Sequence, residues 1–350
     1  MTNKQLLLQL QKEQDLPDSQ LKQLLETFSS EDLKYASLLA REVKIEHYSN
    51  KIYLRGIVEF SNICKNNCYY CGLRRDNKNI ARYQLNSEQI VSCCKNGYKL
   101  GLRTFVLQGG ENYIYDQGKL TSIIKEIKKE MPDCAVTLGV GEKSRELYQQ
   151  WFDSGADRYL LRHETINPVH YSKLHPSDQV LENRVRCLND LKDIGYQTGA
   201  GMMVGSPYQT FDNLVEDLRF LKDFNPEMVG LGPFIPHSQT PFANEATGSY
   251  QLSLLLLAIV RMMLVKVLLP ATTALETVNP EGRKLGLLSG CNVIMPNISP
   301  MKNRKSYKLY NGMAEIDDNA EEKIRQIKTM VESIGDRIVI DRGDYKRMKI

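Results

Sequence analysis

A chain of 350 residues has room for one large α/β barrel with extensions or for two small domains, and its 42% apolar content supplies a full core. The net charge of +4 is small and spread along the chain, which excludes the concentrated basic face of a nucleic-acid binder. The most apolar stretch, 252–269, is interrupted by Arg261 and Lys266 and closed by Pro270, so it falls short of the ~20 uncharged residues of a membrane span.

Residues 1–47 are charged and amphipathic and predict two or three short helices, with Pro17-Asp18 as a break and Ser29-Ser30 ahead of Glu31 and Asp32 as a helix start. No basic and apolar leader opens the chain, so a cytoplasmic protein with reduced cysteines is expected. From Ile52 the pattern alternates. Strands are expected at 52–60, 103–108, 134–139, 157–162, 197–204, 227–233, 269–274 and 291–295. Helices are expected at 86–99, 116–130, 142–153, 180–194, 210–223, 249–266 and 280–289. Such alternation over ~250 residues predicts an α/β fold, a (β/α)8 TIM barrel. The barrel spans 48–300, with 1–47 as a helical N-terminal extension and 301–350 as a C-terminal extension packing on it. A doubly wound sheet is the alternative, weakened because no GxGxxG follows the first strand. The densest basic run, Lys302, Arg304, Lys305 and Lys308, reads as a solvated loop.

The first strand runs into Cys64-Lys-Asn-Asn-Cys68-Tyr-Tyr-Cys71. Thiolates at CxxxCxxC spacing can hold one small, soft centre. Iron–sulfur clusters use such runs, usually with four cysteines for a cubane. Three cysteines leave one iron open to bind and activate a small molecule. Zinc competes, but structural zinc prefers four ligands as two pairs. The chain has no second CxxC or Cys/His pair, and His163 and His237 stand in no paired motif. Cys93, Cys94, Cys134, Cys187 and Cys291 lack ligand spacing and are expected to be buried and free.

Several further motifs follow predicted strands: Gly109-Gly110-Glu111, His163-Glu164, Met203-Val-Gly205, Pro233-Phe-Ile-Pro236, Thr272-Thr273 and Pro296-Asn297. A barrel's active site lies at that end of its strands, so one composite site is expected. The glycines at 109 and 110 would open backbone groups to a ligand or merely make a βα turn. Glu164 and Arg184 could grip a charged ligand or pair within the barrel. Thr137, Gly139 and Gly141 leave room beside them or form a turn. His163 is as readily a packed barrel histidine as a functional one.

With Tyr70 as the aromatic before the last cysteine, the CxxxCxxC run resembles the signature of radical S-adenosylmethionine (SAM) enzymes. The segments Arg55-Gly-Ile-Val-Glu-Phe-Ser-Asn-Ile-Cys64, Cys71-Gly-Leu-Arg-Arg-Asp-Asn-Lys-Asn79, Arg158-Tyr-Leu-Leu-Arg-His-Glu-Thr165 and Gly230-Leu-Gly-Pro-Phe-Ile-Pro-His237 resemble the HydE-like maturases of FeFe hydrogenase, in the biotin-synthase-like branch. The resemblance runs from about Tyr53 to about Tyr310. It implies one 4Fe-4S cluster on Cys64, Cys68 and Cys71, with SAM chelating the open iron. It further implies that Tyr70, Gly109, Gly110, Glu111, Thr137, Glu164 and Arg184 bind SAM. The substrate would meet Arg55, Thr272, Thr273, Met295, Tyr307 and Tyr310, with Arg55 and the two threonines of the seventh strand as a polar floor. That substrate is implied to be a small, sulfur-containing precursor of the diiron site, a cysteine-bound Fe-CO-CN complex. Implied partners are other hydrogenase maturases and a ferredoxin or flavodoxin electron donor, with no nucleic acid and no membrane. Some such maturases carry an extra cluster near the C-terminus, but no cysteine follows Cys291 here. The nearest alternative is a methylornithine synthase-like mutase acting on an amino acid. The alternative of another class is a non-catalytic iron–sulfur scaffold, which would have no need of a SAM site.

Overall fold

The computed structural model describes residues 1–113, 118–314 and 319–346. The first predicted strand is broken at Arg55 into β1 (Lys51–Leu54) and β2 (Gly56–Ser61). There follow β3 (Thr104–Gly109), β4 (Ala135–Gly139), β5 (Arg158–Leu160), β6 (Gln197–Ala200), β7 (Met203–Val204), β8 (Met228–Val229), β9 (Gly232–Pro233) and β10 (Val293–Ile294). A parallel sheet runs in the order β2-β3-β4-β5-β6-β8. Single bridges close it: Met228 to Leu268, Pro270 to Val293 and Ile57 to Asn297. The Ile57 N–H donates to Pro296 at 2.9 Å and the Val229 N–H to Leu268 at 3.2 Å. The result is the expected (β/α)8 barrel.

One strand departs from expectation. Instead of a strand over 269–274, the chain makes bridges at Leu268 and Pro270 and then turns into a helix at Thr273. Pro270 has no N–H to extend a ladder. The fifth and sixth barrel strands are also interrupted, where Gly201 meets Gly230. A Cβ on Gly201 would stand 1.9 Å from the Gly230 carbonyl, and its φ of +153° suits glycine.

Three helices, α1 (Asn3–Glu13), α2 (Asp18–Thr27) and α3 (Ser30–Tyr48), precede the barrel. The outer layer then contains α4 (Ser87–Lys99), α5 (Lys119–Glu130), α6 (Arg145–Asp153), α7 (Pro168–Leu174), α8 (Leu181–Ile194), α9 (Phe211–Phe224) and α10 (Tyr250–Met263). Residues 116 and 117 of the expected 116–130 helix lie outside the described residues. Helix α10 is buried nearly all round because α3 packs along it, which explains its apolar run over 254–260. No helix among the described residues is long and apolar enough to cross a membrane.

The strands sort their side chains by alternation. Val58, Phe60, Phe105, Leu107, Val136, Leu138 and Tyr159 face the helices in one core. Each such burial is worth about 1.5–3 kcal/mol. The opposite positions, among them Arg55, Glu59, Thr104, Thr137 and Arg158, are buried and polar.

Between the seventh strand and β10 lie α11 (Thr273–Val278) and α12 (Gly282–Leu288), and beyond the barrel come α13 (Met301–Arg304), α14 (Ala320–Ser333) and β11 (Arg337–Val339). Arg304, expected in a solvated loop, is 3% exposed and donates to the Ser299 carbonyl at 2.9 Å. β11 pairs in parallel with β1. Residues 341–346 then fold under the barrel: buried Arg158 donates to Arg342 O at 2.7 Å and pairs with Asp344 at 2.6 Å. That end is closed, so the strands' C-terminal end is left for a site.

Candidate active site

The cysteines stand on a loop whose backbone carbonyls are held by side chains. Arg82 donates to the carbonyls of Asn62, Leu73, Arg74 and Asn77 at 2.6, 2.9, 2.7 and 3.1 Å. Asn62 donates to Ala81 O at 2.8 Å and Ser306 O at 2.6 Å. These bonds satisfy carbonyls that no ladder reaches. Cys64, Cys68 and Cys71 are half-buried and free, while the other five cysteines are buried and free. Burial, and then the charge of Cys64, push the Cys68 thiol up to about 12. Burial and both neighbouring thiols push Cys71 up as well. Among the described residues no three His, Cys, Asp or Glu converge closely enough to hold a single metal ion. A cubane sets each thiolate on a different iron.

Across the mouth, Glu164 follows β5 with φ +66°, a left-handed conformation unusual for a residue other than glycine. Its N–H donates to Gly201 O at 3.0 Å, and its carbonyl accepts from Met203 N at 3.3 Å. Oε1 accepts from Arg162 Nε at 3.1 Å, whereas Oε2 is buried with no partner. Strain held in this way accumulates at functional sites. Arg162, two positions beyond Leu160 on the same alternation, is a site residue that the motifs did not single out.

Arg184, in the first turn of α8, pairs with Glu142 at 2.5 Å and donates to Arg162 O at 3.0 Å. An internal Glu–Arg pair therefore exists, but its acid is Glu142 and not Glu164. Glu111 turns toward the cysteine loop: it meets Lys65 Nζ at 3.1 Å, Asn66 Nδ2 at 3.0 Å and Glu142 N at 2.9 Å. Gly110 lies flat on that loop, where a Cβ would stand 2.4 Å from Ile63 O. Gly109 ends β3 beside the Phe60 ring. Thr137 is buried on β4 with an unpartnered hydroxyl. Tyr70 places its hydroxyl 3.2 Å from His175 Nε2. His163 faces outward, 3.3 Å from Asp217 and against the Phe220 ring, and is a packing residue.

The residues expected at the substrate stand on different elements of the barrel. Arg55 lies deep, donating to Met228 Sδ at 2.9 Å and Gly343 O at 3.3 Å, and none of its hydrogen bonds reaches a threonine. Thr273 accepts from Arg283 at 3.1 Å. Neither threonine is in a strand, since Thr272 caps α11. The Thr272 hydroxyl is buried without a partner, 2.8 Å from where a Cβ on Gly232 would lie. Tyr307 is buried and accepts from Gln108 at 3.2 Å. Burial pushes the Tyr310 hydroxyl up to about 12, partly offset by a hydrogen bond with Thr277. Met295 packs on the inner cluster of Tyr53, Met228 and Val293.

Known proteins are similar to this chain in sequence and in fold. The profile of the radical SAM superfamily matches residues 58–221, a span that includes the cysteine run, Glu164 and Arg184. The [FeFe] hydrogenase maturase subunit HydE of Thermotoga maritima is 47% identical over 310 residues, covering 89% of this chain and 88% of that protein. The chain belongs to the HydE family of radical SAM enzymes. The 3-methylornithine synthase of Methanosarcina acetivorans is 28% identical over 91% of the chain and 88% of its own length. The structure of methylornithine synthase (PylB) matches with a TM-score of 0.84 at 24% identity, over 95% of this chain and 97% of that one. The FeFe-hydrogenase maturase HydG from Carboxydothermus hydrogenoformans matches at 0.79 and 22% identity, over 97% and 79%. These two share the barrel fold.

A HydE-family enzyme carries a 4Fe-4S cluster and SAM, and the site suits both. Three thiols that are costly to ionise alone become thiolates once a cationic centre compensates them. The bare Glu164 oxygen and the bare Thr137 hydroxyl are buried polar atoms, which a bound ligand would satisfy.

Proposed function

We propose that this HydE-family enzyme acts in assembly of the diiron site of FeFe hydrogenase, on a small sulfur-containing precursor, a cysteine-bound Fe-CO-CN complex. The observation that carries this reading is the 47% identity with a hydrogenase maturase across 89% of the chain. When bound, the cluster would supply the single electron for reductive cleavage of SAM. Cys64, Cys68 and Cys71 hold the cluster. Glu164 takes SAM's cationic end through its free oxygen, and the Arg184 guanidinium takes the carboxylate. The Gly109-Gly110 backbone faces the amino group while Glu111 braces the cysteine loop. Tyr70 and Thr137 line the same cofactor. The substrate meets Thr272, Met295, Tyr307 and Tyr310. Thr273 acts through Arg283, and Arg55 offers positive charge from below. The 341–346 segment keeps water out from beneath. We further propose a cytoplasmic location, a ferredoxin or flavodoxin as electron donor, and exchange of substrate or product with other maturases.

The test uses Thr272→Val, which keeps shape and removes the free hydroxyl. With dithionite and SAM it is expected to release 5′-deoxyadenosine at the wild-type uncoupled rate, while hydrogenase maturation in a reconstituted system is lost. Maturation at the wild-type rate would refute the pocket.

A further inference from the structure

The link between α7 and α8 touches the cysteine run at three successive points that no motif marks. Leu174 O accepts from the Tyr69 N–H at 2.9 Å. His175 Nε2 lies 3.2 Å from the Tyr70 hydroxyl. Gln179 Oε1 accepts from the Cys68 thiol at 3.4 Å. His175 also stacks on Tyr171, ring centroids 3.9 Å apart, with Nδ1 3.0 Å from the Tyr171 carbonyl. A carbonyl can only accept, so Nδ1 carries the proton, Nε2 is the acceptor, and Tyr70 donates. Two contacts therefore hold the link against the cysteine loop independently of Gln179.

Gln179 has a different task. It bonds to a cysteine that, when iron-bound, is a thiolate with no proton to donate. Its amide oxygen would then face an anionic sulfur. A half-turn of the amide brings the NH2 group to the sulfur instead, and the two orientations fill the same space. That nitrogen has no other partner among the described residues.

We propose that Gln179 is a positioning residue of the cluster: its amide N–H donates to the iron-bound sulfur of Cys68 and raises the cluster's reduction potential. Reduction adds negative charge, which a hydrogen bond to sulfur stabilises, so such bonds set the potential of iron–sulfur centres. The inference rests on the cluster assignment made above.

The experiment compares wild type, Gln179→Leu and Gln179→Glu, each reconstituted anaerobically and kept free of SAM. Iron content, midpoint potential by mediated titration, and the EPR spectrum of the reduced cluster are recorded. About four irons per chain are expected in all three. The leucine variant is expected to be about tenfold harder to reduce, ~59 mV for one electron. The glutamate variant is expected to move further in the same direction, because it sets a carboxylate beside the sulfur. Both should shift the EPR g values. Wild-type potential and g values in both variants overturn the inference. So does loss of iron with an unshifted potential in the remaining cluster, which is the signature of a merely structural side chain. A wild type that holds no cubane is a distinct result and refutes the underlying cluster assignment itself.

Discussion

Glu164 is held at φ +66°, a conformation that costs a residue with a Cβ roughly 1–2 kcal/mol. Glycine at this position would remove that cost together with the carboxylate. Glu164→Gly is therefore expected to keep or raise thermal stability while weakening SAM binding. The lost charge-assisted contact is on the order of 1.5–3 kcal/mol, roughly tenfold or more in affinity. Calorimetric titration and a melting curve on one sample check both halves. Unchanged affinity would place SAM elsewhere, and a steep loss of stability would make Glu164 only a brace for Arg162. Glu164 was legible in the sequence because it ends a strand in a barrel. Its strain, its free oxygen and Arg162 beside it were not, since partners are chosen by three-dimensional packing. The same holds for Arg184, whose acid Glu142 comes from a different βα link. It holds also for Thr273, whose hydroxyl Arg283 occupies.

At the scale of elements, the cysteine loop and the strand end after β3 form one unit. Gly110 cannot retreat, because its N–H bonds to Ser61 O at 2.9 Å. An added Cβ would lie 2.4 Å from Ile63 O and 2.9 Å from Cys64 Cβ. Gly110→Ala should therefore move the loop and lower iron content after reconstitution, with the circular dichroism spectrum unchanged. Gly139→Ala is the control: its nearest neighbour would be 3.8 Å away, and iron should stay at the wild-type level. Equal iron in both would separate the turn from the loop. The C-terminal segment is a second such unit, and its hold on the barrel varies with pH. Burial alone would raise the Asp344 carboxyl, but Arg158, Gln197 and Arg342 hold it down at about 2, against 3.8. A depressed carboxyl contributes stability above its unfolded value and loses it as pH falls through the folded one. Asp344→Asn is expected to lower the Tm at pH 7, with the gap closing as pH falls from about 4 toward 2. The effect is modest because the side chain is 40% exposed. A gap that widens in acid would contradict the assignment.

At the scale of the molecule, the barrel was readable because its alternation recurs eight times, so an error in one strand leaves the pattern intact. The shortened seventh strand was not readable, since closure by single bridges needs no run of strand-forming residues. Nor was the closing of the barrel floor by 341–346, which rests on Arg158 and Asp344 and not on apolar periodicity. Knowing the barrel does not identify the substrate, because the methylornithine synthase fold is nearly superimposable on it. The central claim is therefore tested by maturation of hydrogenase itself. FeFe hydrogenase apoenzyme is matured in an extract lacking its own HydE, with added wild-type protein or Cys71→Ala, and hydrogen evolution is measured. The account predicts that the wild type restores hydrogen evolution and that Cys71→Ala leaves it at background. If hydrogen evolution stays at background with a wild type that still releases 5′-deoxyadenosine, the maturase account is contradicted and an amino-acid mutase takes its place.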